Sequence, residues 1–424
     1  LVKGELKAWP DSIRGVLPGP WFCRNGRQLT VARWPNEDAE NGGFSGFENC
    51  IKPGGNIWAI EKKAPGVFEF PGDRAARWDF TKGIWMLAYW KFDWACEYLR
   101  AGSYDPATRV VACAADRVPY SYMPFGKWQW YRLDNVRSAL GEPGDWHLDR
   151  SGELIYVPHP GETPEKAECW AAVRPHALVL DGVTNRVIRG VTFAYSGWDM
   201  PEKGQVYQQA GANVSAAVLV TRSKNVRFED CTFIHTGGYG LEFGAGAVGC
   251  AAVNCTFRDL GAGGVKIGSE WAGSAKPETW AHGCRVEDCL VESGGRFEPA
   301  GVGIWIGNAD GCQIVHNTVR DLYYSGISVG WTWKSVPNAA HHNRVAFNDV
   351  SAIGQRRLSD MGGIYLLGDQ PGTVVEGNLV RDVTTARGFG HGIYLDQGSS
   401  RMAIVSNHVE TAEGVAFYLQ YSTV

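Results

Sequence analysis

Several things are missing from this sequence, and each absence closes off a class of function. No apolar run reaches the roughly 18 residues that a membrane-spanning helix needs, so no membrane partner is expected. No charge of one sign dominates. Lys and Arg number 41 against 45 Asp and Glu, for a net charge of −4, which gives nucleic acid or an anionic membrane no bulk attraction. There is no CxxC and no HExxH spacing, so neither a catalytic metal nor a cofactor is expected. With 44% hydrophobic and 20% charged residues the composition is globular, and 424 residues is the length of two or three ordinary domains. What the chain has in surplus is glycine, 54 residues or nearly twice the usual ~7%, together with 18 tryptophans. Many tight bends and many large aromatics point to a β-rich scaffold with an aromatic-lined groove. The chain starts at Leu1 without Met and stops at Val424 inside an apolar alternating run, and reads as a piece of a longer protein.

One pattern recurs from about Asn225 onward, in VRFEDCTF, CAAVNCTF, CRVEDCLV, CQIVHNTV, NRVAFNDV, TVVEGNLV and MAIVSNHV. It sets Cys231, Cys255, Cys289, Asn317, Asn348, Asn378 and Asn407 at one equivalent position, with spacings of 24, 34, 28, 31, 30 and 29 residues. A second short strand follows in each repeat: GLEFG (240–244), GVKIG (264–268), GIWIG (303–307), GISVG (326–330), GIYLLG (363–368) and GIYLDQ (392–397). Short β-branched strands, glycine at corners and an irregular period predict an all-β fold, a right-handed parallel β-helix whose coils stack about 4.8 Å apart. Propellers and leucine-rich repeats keep tighter periods. The equivalent Cys and Asn positions then become ladders along the axis.

Cys250, Cys284 and Cys312 each follow a glycine and form a second column, so six of the eleven cysteines read as small buried residues. An odd total leaves at least one thiol free, and no disulfide framework is implied. Residues 1–170 differ. Trp, Pro and Gly punctuate period-two segments such as GVFEFPG, WYRLDN and ELIYVPHP, which predicts an antiparallel β-sandwich-like domain. The β-helix is expected over 171–424, with the boundary near 164–172.

Strand residues alternate sides. In the second strand of each coil the residue after the first glycine should enter the core, and the next should point outward. That outward column reads Glu242, Lys266, Trp305, Ser328, Tyr365 and Tyr394, with Gly244, Gly268, Gly307, Gly330, Leu367 and Asp396 two residues on. An outer face of acid, base and aromatic side chains over a glycine floor suits an oligosaccharide, because sugar C–H faces stack on Trp and Tyr. Trp331 and Trp333 in SVGWTW form a lip to that groove, or pack under the loop 334–342. His341, His342 and His391 read as structural or solvated rather than as metal ligands, and His391 stands beside the groove strand.

Glycoside hydrolysis needs two carboxylates flanking the scissile bond, about 5–10 Å apart. Candidates are Asp396, Asp360, Asp369 and Glu242, with Glu270 at the far end of the face. Asp360 in SDMGG precedes Asp396 by 36 residues, so the pair requires the chain to fold back between Asp360 and Ile364, which Gly362 and Gly363 permit. Asp369 is one coil from Asp396 with a smaller offset. Spacing does not choose between Asp360 and Asp369.

The stretches LTVARWPN (29–36), EPGDWHLDR (142–150), YYSGISVGWTW (323–333), SDMGGIYLLGDQPGT (359–373) and GHGIYLDQGSS (390–400) together resemble glycoside hydrolase family 141, and more distantly the β-xylosidases of family 120. The resemblance spans nearly the whole chain. It implies a β-helix with a β-sandwich-like domain, and α-L-fucosidase or xylanase activity on plant cell-wall polysaccharide by a secreted or periplasmic enzyme. It also implies that the catalytic aspartates are Asp360 and Asp396. Trp305, Trp331, Trp333, Tyr365, Tyr394, Lys266, Glu242, His391 and Gln397 then become the substrate-binding candidates. The chain departs from the family at Gln397, where Glu is frequent, and in GVAFYLQYS, which lacks the family's His-rich closing segment. Two other classes fit a parallel β-helix: a polysaccharide lyase, which would need a Ca²⁺ site of clustered acids that this face lacks and a base such as Lys266, and a carbohydrate-binding β-helix without turnover.

Overall fold

In the computed structural model the described residues are 2–5, 21–24, 27–36, 42–46, 49–52, 66–70, 72–89, 92–94, 96–113, 130–148, 153–163, 169–172, 174–197, 205–206, 209–269, 279–333 and 338–420. Glu270, the boundary residues 164–168 and loop residues 334–337 lie outside them. The chain divides into two compact units, Leu1–Val173 with Asp199–Gln208, and Arg174–Trp198 with Gln209–Val424. The segment 199–208 therefore interrupts the first coil of the second unit and belongs to the first.

The first unit is built of short strands. Arg33–Trp34, Trp130–Asp134, Trp85–Tyr89, Glu97–Asp105, Val110–Cys113, Val67–Glu69 and Asn49–Lys52 follow one another across one antiparallel sheet. Their inner positions fill a core in which Phe68, Phe70, Leu99, Tyr131 and Leu133 are buried. Its one buried charge cluster is internally matched among the described residues: the Tyr98 hydroxyl donates to Asp134 at 2.9 Å, and Arg132 reaches both.

The second unit is a right-handed parallel β-helix made of three parallel sheets. The first sheet runs Leu178–Asp181, Ala216–Thr221, Tyr239–Phe243, Val265–Gly268, Ile304–Gly307, Ile327–Gly330, Met361–Asp369, Gly390–Ser400 and Phe417–Leu419. The second sheet, from Thr184–Arg189 to Ala403–Val405, and the third, from Thr192–Ser196 to His408–Val409, stack in step with it. Each coil turns its corners with single left-handed residues. Gly249, Gly283 and Gly311 have φ near +60° and are followed at once by Cys250, Cys284 and Cys312. Asp230, Asn254, Asp288, His316, Phe347 and Ser406 do the same one corner later and are followed by the Cys and Asn ladder. Glycine carries no steric penalty at such a bend and Asn or Asp little, which is why those residues hold most of these corners, with His316, Phe347 and Ser406 at the others.

The ladders look after the backbone that these corners expose. Asn317, Asn348 and Asn378 each donate through Nδ2 to Oδ1 of the next Asn at 2.8–2.9 Å, and to a main-chain carbonyl of the preceding coil at 2.9–3.0 Å. That same Oδ1 also accepts the N–H of the Asn before it. Cys231, Cys255 and Cys289 hold the equivalent place earlier in the axis with weaker S–H contacts to carbonyls. The nine described cysteines outside 23 and 169 are all free thiols. Between the ladders lies a dry core. Phe193, Phe233 and Phe257 stack with centroids 5.1 and 4.5 Å apart, and Leu241, Val265, Ile304, Ile327, Ile364 and Ile393 form a fully buried column, each side chain stabilising by about 1.5–3 kcal/mol.

Candidate active site

The outward column is in register as read. Glu242 pairs with Lys266, Lys266 with Trp305, Trp305 with Ser328, Ser328 with Tyr365, Tyr365 with Tyr394 and Tyr394 with Tyr418. The open, solvated face expected from that alternation is not there. Lys266, Trp305, Ser328, Tyr365 and Tyr394 are all buried.

At Lys266 the cover is the irregular segment 209–214. Its Nζ donates to Ala212 O at 3.0 Å and Val214 O at 2.8 Å, pairs with Glu242 at 3.1 Å and lies 5.5 Å from the Tyr239 ring. All three ammonium donors have acceptors, so Lys266 and Glu242 form a structural ion pair. Lys266, buried and fully paired, is not available as a sugar contact or a lyase base, which corrects the sequence expectation for it; Glu242 is half-buried and held by that pair. Trp305 is corrected for the same reason. Its ring lies over Gly307, where an added Cβ would come within 2.1 Å of it, and its other side meets Trp331 at 5.7 Å. The glycine there is not open floor; it is the space that the indole fills.

Trp331 is buried with φ +72° and donates its indole N–H to Ser328 Oγ at 3.0 Å. It links Trp305 to Tyr365, whose ring is 5.9 Å away, and to the half-buried Trp333 at 5.8 Å. Rings then continue along the axis: Tyr365 to Tyr394 at 5.1 Å, Tyr394 to His391 at 5.1 Å, and His391 stacked on Tyr418 at 4.2 Å. His391 is buried, accepts the Val415 N–H through Nδ1 at 3.2 Å, and is shifted toward the neutral form by burial.

Two carboxylates meet this aromatic row. Tyr365 Oη donates to Asp396 Oδ2 at 2.5 Å, and Tyr394 Oη lies 3.0 Å from Asp360 Oδ1. The fold-back that brings Asp360 here begins at Asp360 itself, two residues before Gly362. Asp360 itself is left-handed, with φ +57°, and delivers the chain into the strand Met361–Asp369. Gly362 then lets the Tyr394 side chain pass, since a Cβ there would stand 3.1 Å from that of Tyr394. Asp396 is followed by a bulge. Leu367 pairs with Asp396 but Asp369 with Ser400, so Gln397 is pushed out and exposed.

The electrostatics separate Asp360 from Asp369. Burial, and then the neighbouring charge of Asp396, push the Asp360 carboxyl from the ordinary 3.8 up to about 6. Burial together with the charges of Asp360 and Asp396 holds Tyr324, Tyr365 and Tyr394 well above the ordinary phenol value. Asp369 goes the other way. Arg401 grips both of its oxygens, Ser400 Oγ donates to it at 2.7 Å, and its carboxyl is held below the usual range. Tyr324 and Gln420 were not foreseen. Tyr324 donates to the Asp360 carbonyl at 3.0 Å, and Gln420 Oε1 lies 2.6 Å from Tyr394 Oη.

A family profile described as a right handed beta helix region matches residues 176–424. The chain belongs to the right-handed β-helix family. Comparison with curated proteins returned no match. Among solved structures, this β-helix protein is similar to one described as a glycoside hydrolase, at 20% identity and a TM-score of 0.80, over 95% of this chain and 76% of that one. A complex of XylC with xylose matches over 96% of this chain and 58% of its own, at 11% identity and a TM-score of 0.42. An alginate lyase from Paenibacillus sp. str. FPU-7 matches over 50% of this chain and 76% of its own, at 13% identity and a TM-score of 0.32. At these identities the first likeness establishes a shared fold. No helix among the described residues is long and apolar enough to cross a membrane.

Proposed function

We propose that this β-helix protein is a glycoside hydrolase of the family 141 kind, acting on xylan- or fucose-containing polysaccharide with Asp360 and Asp396 as its catalytic pair. The observation that carries the reading is the pair itself: two carboxylates on neighbouring coils, each held by one of two tyrosines in ring contact, with Asp360 pushed up to about 6 by burial and by the charge of Asp396. A carboxyl that keeps its proton beside a second carboxyl gives one site an acid and a partner for it. Asp360 is the proton donor to the leaving glycosidic oxygen. Asp396, accepting from Tyr365, is the partner that acts as nucleophile or as base toward water. Gln397, exposed next to Asp396, faces the sugar, with the half-buried Trp333 at the end of the aromatic row. The buried Trp331, Tyr365, Tyr394 and His391 form the wall that holds the carboxylates. A polymeric substrate cannot enter a cell, so the enzyme works secreted or in the periplasm.

The test is a panel of xylo-oligosaccharides and fucosylated oligosaccharides followed by proton NMR, which reads turnover and product anomer together. Turnover by the wild type that disappears in both Asp360→Asn and Asp396→Asn is the expected result. Binding of a xylan fragment without release of sugar would replace the reading with a carbohydrate-binding β-helix.

A further inference from the structure

The Tyr394 hydroxyl sits between two oxygens and has one proton to give. Asp360 Oδ1 is 3.0 Å away and Gln420 Oε1 2.6 Å. An amide carbonyl can only accept, so the shorter contact takes the Tyr394 proton and leaves the phenol oxygen facing Asp360 with lone pairs alone. The contact with Asp360 is then made when the carboxyl carries a proton and donates it, in the sequence Asp360 O–H to Tyr394 O–H to Gln420 C=O. An ionised Asp360 would have to compete with Gln420 for the same hydrogen. Gln420 is fixed where this matters. It follows the strand Phe417–Leu419, in which Tyr418 pairs with Tyr394, and its own N–H donates to Leu395 O at 2.8 Å, level with Asp396.

We propose that Gln420 is a positioning residue which, acting through Tyr394, keeps Asp360 in its protonated, proton-donating form. The catalytic use of that proton rests on the glycosidase reading; the relay is a property of the three side chains. The other titratable groups facing Asp360 are Asp396 and Tyr365 on the coil contacts described, Tyr324 at its carbonyl, and His391 behind Tyr394.

The experiment is a pH titration of the full chain labelled at the aspartate side-chain carboxyl carbon, with the Asp360 signal assigned by its loss in Asp360→Asn. Gln420→Met should lower the Asp360 midpoint by about 0.5–1 pH unit, the size of one neutral hydrogen bond. In a Tyr394→Phe background the same substitution should leave the midpoint unmoved. Gln420→Glu, which keeps the shape and the acceptor, should raise it when Tyr394 is present, and serves if the methionine variant does not fold. On any substrate that is turned over, the basic limb of kcat/KM should move with the titration. An unchanged or raised midpoint in Gln420→Met, or an equal fall without the Tyr394 hydroxyl, would overturn the relay. The titration needs no substrate. The expected shifts in a protein that hydrolyses nothing would therefore leave the relay standing and remove the glycosidase reading instead.

Discussion

The first sheet buries polar groups at two places along one column, and they are built on opposite principles. At Glu242 and Lys266 the two charges are opposite, 3.1 Å apart, and the ammonium finds two further carbonyl acceptors. At Asp360 and Asp396, three to five coils further on, the charges are alike and the partners are phenols. A buried pair of opposite sign with every donor used is inert, because any change of protonation leaves a buried charge uncompensated. A buried pair of like sign cannot hold both charges comfortably, so one member keeps its proton to higher pH. Burial alone therefore does not mark a catalytic group; burial with unmatched charge does.

That contrast can be broken in several ways. The largest effect expected is on turnover: Asp396→Asn and Asp360→Asn should each cost about 10²–10⁴-fold in kcat, measured on whichever oligosaccharide the wild type cleaves. Next comes the ion pair. Lys266→Ala leaves the half-buried Glu242 without its partner and should lose about 3–5 kcal/mol in urea unfolding, whereas Asp360→Asn at pH 8 should be at least as stable as the wild type. If both variants lost the same stability, the distinction between the two places would fail. Asn348→Ala removes one rung and orphans Asn317 N–H and Ile314 O, for a cost of about 2–4 kcal/mol read in the same way.

The pH dependence sharpens the comparison further. Asp360 titrates higher folded than unfolded, so the stability it contributes is complete below about pH 4 and is lost as pH rises through about 6. Wild type minus Asp360→Asn should show that decline across the window in paired denaturant titrations, and a flat difference would mean that Asp360 is not shifted. The smallest effect belongs to Asp369→Asn. Its partner Arg401 is exposed, so the loss should stay below about 1 kcal/mol with activity unchanged, and a dead Asp369→Asn would move the catalytic role to that residue.

Much of this was legible beforehand because a β-helix repeats its chemistry once per coil. The Cys and Asn columns, the strand after each corner glycine and the register from Glu242 to Tyr394 all follow from period and alternation. What failed was the inference from outward to exposed. The segment 209–214 covers Lys266 with main-chain carbonyls, and carbonyls leave no trace in side-chain pattern. Trp305 looked like a groove wall because a glycine two residues on reads as open space, yet that glycine exists to admit the ring. Spacing could not choose between Asp360 and Asp369 because the choice turns on one left-handed residue at the start of a strand and one arginine, Arg401, a coil away. Gln420 escaped notice since a lone glutamine in an alternating strand carries no periodic signal.

The central claim is that Asp360 and Asp396 form one coupled acid pair. Its most direct test is the carboxyl titration of Asp360 in the wild type and in Asp396→Asn. The account predicts a wild-type midpoint of about 6 that falls when the neighbouring charge is removed, while staying above 3.8 because burial remains. A midpoint near 3.8 in the wild type, or one that Asp396→Asn leaves unmoved, would contradict it.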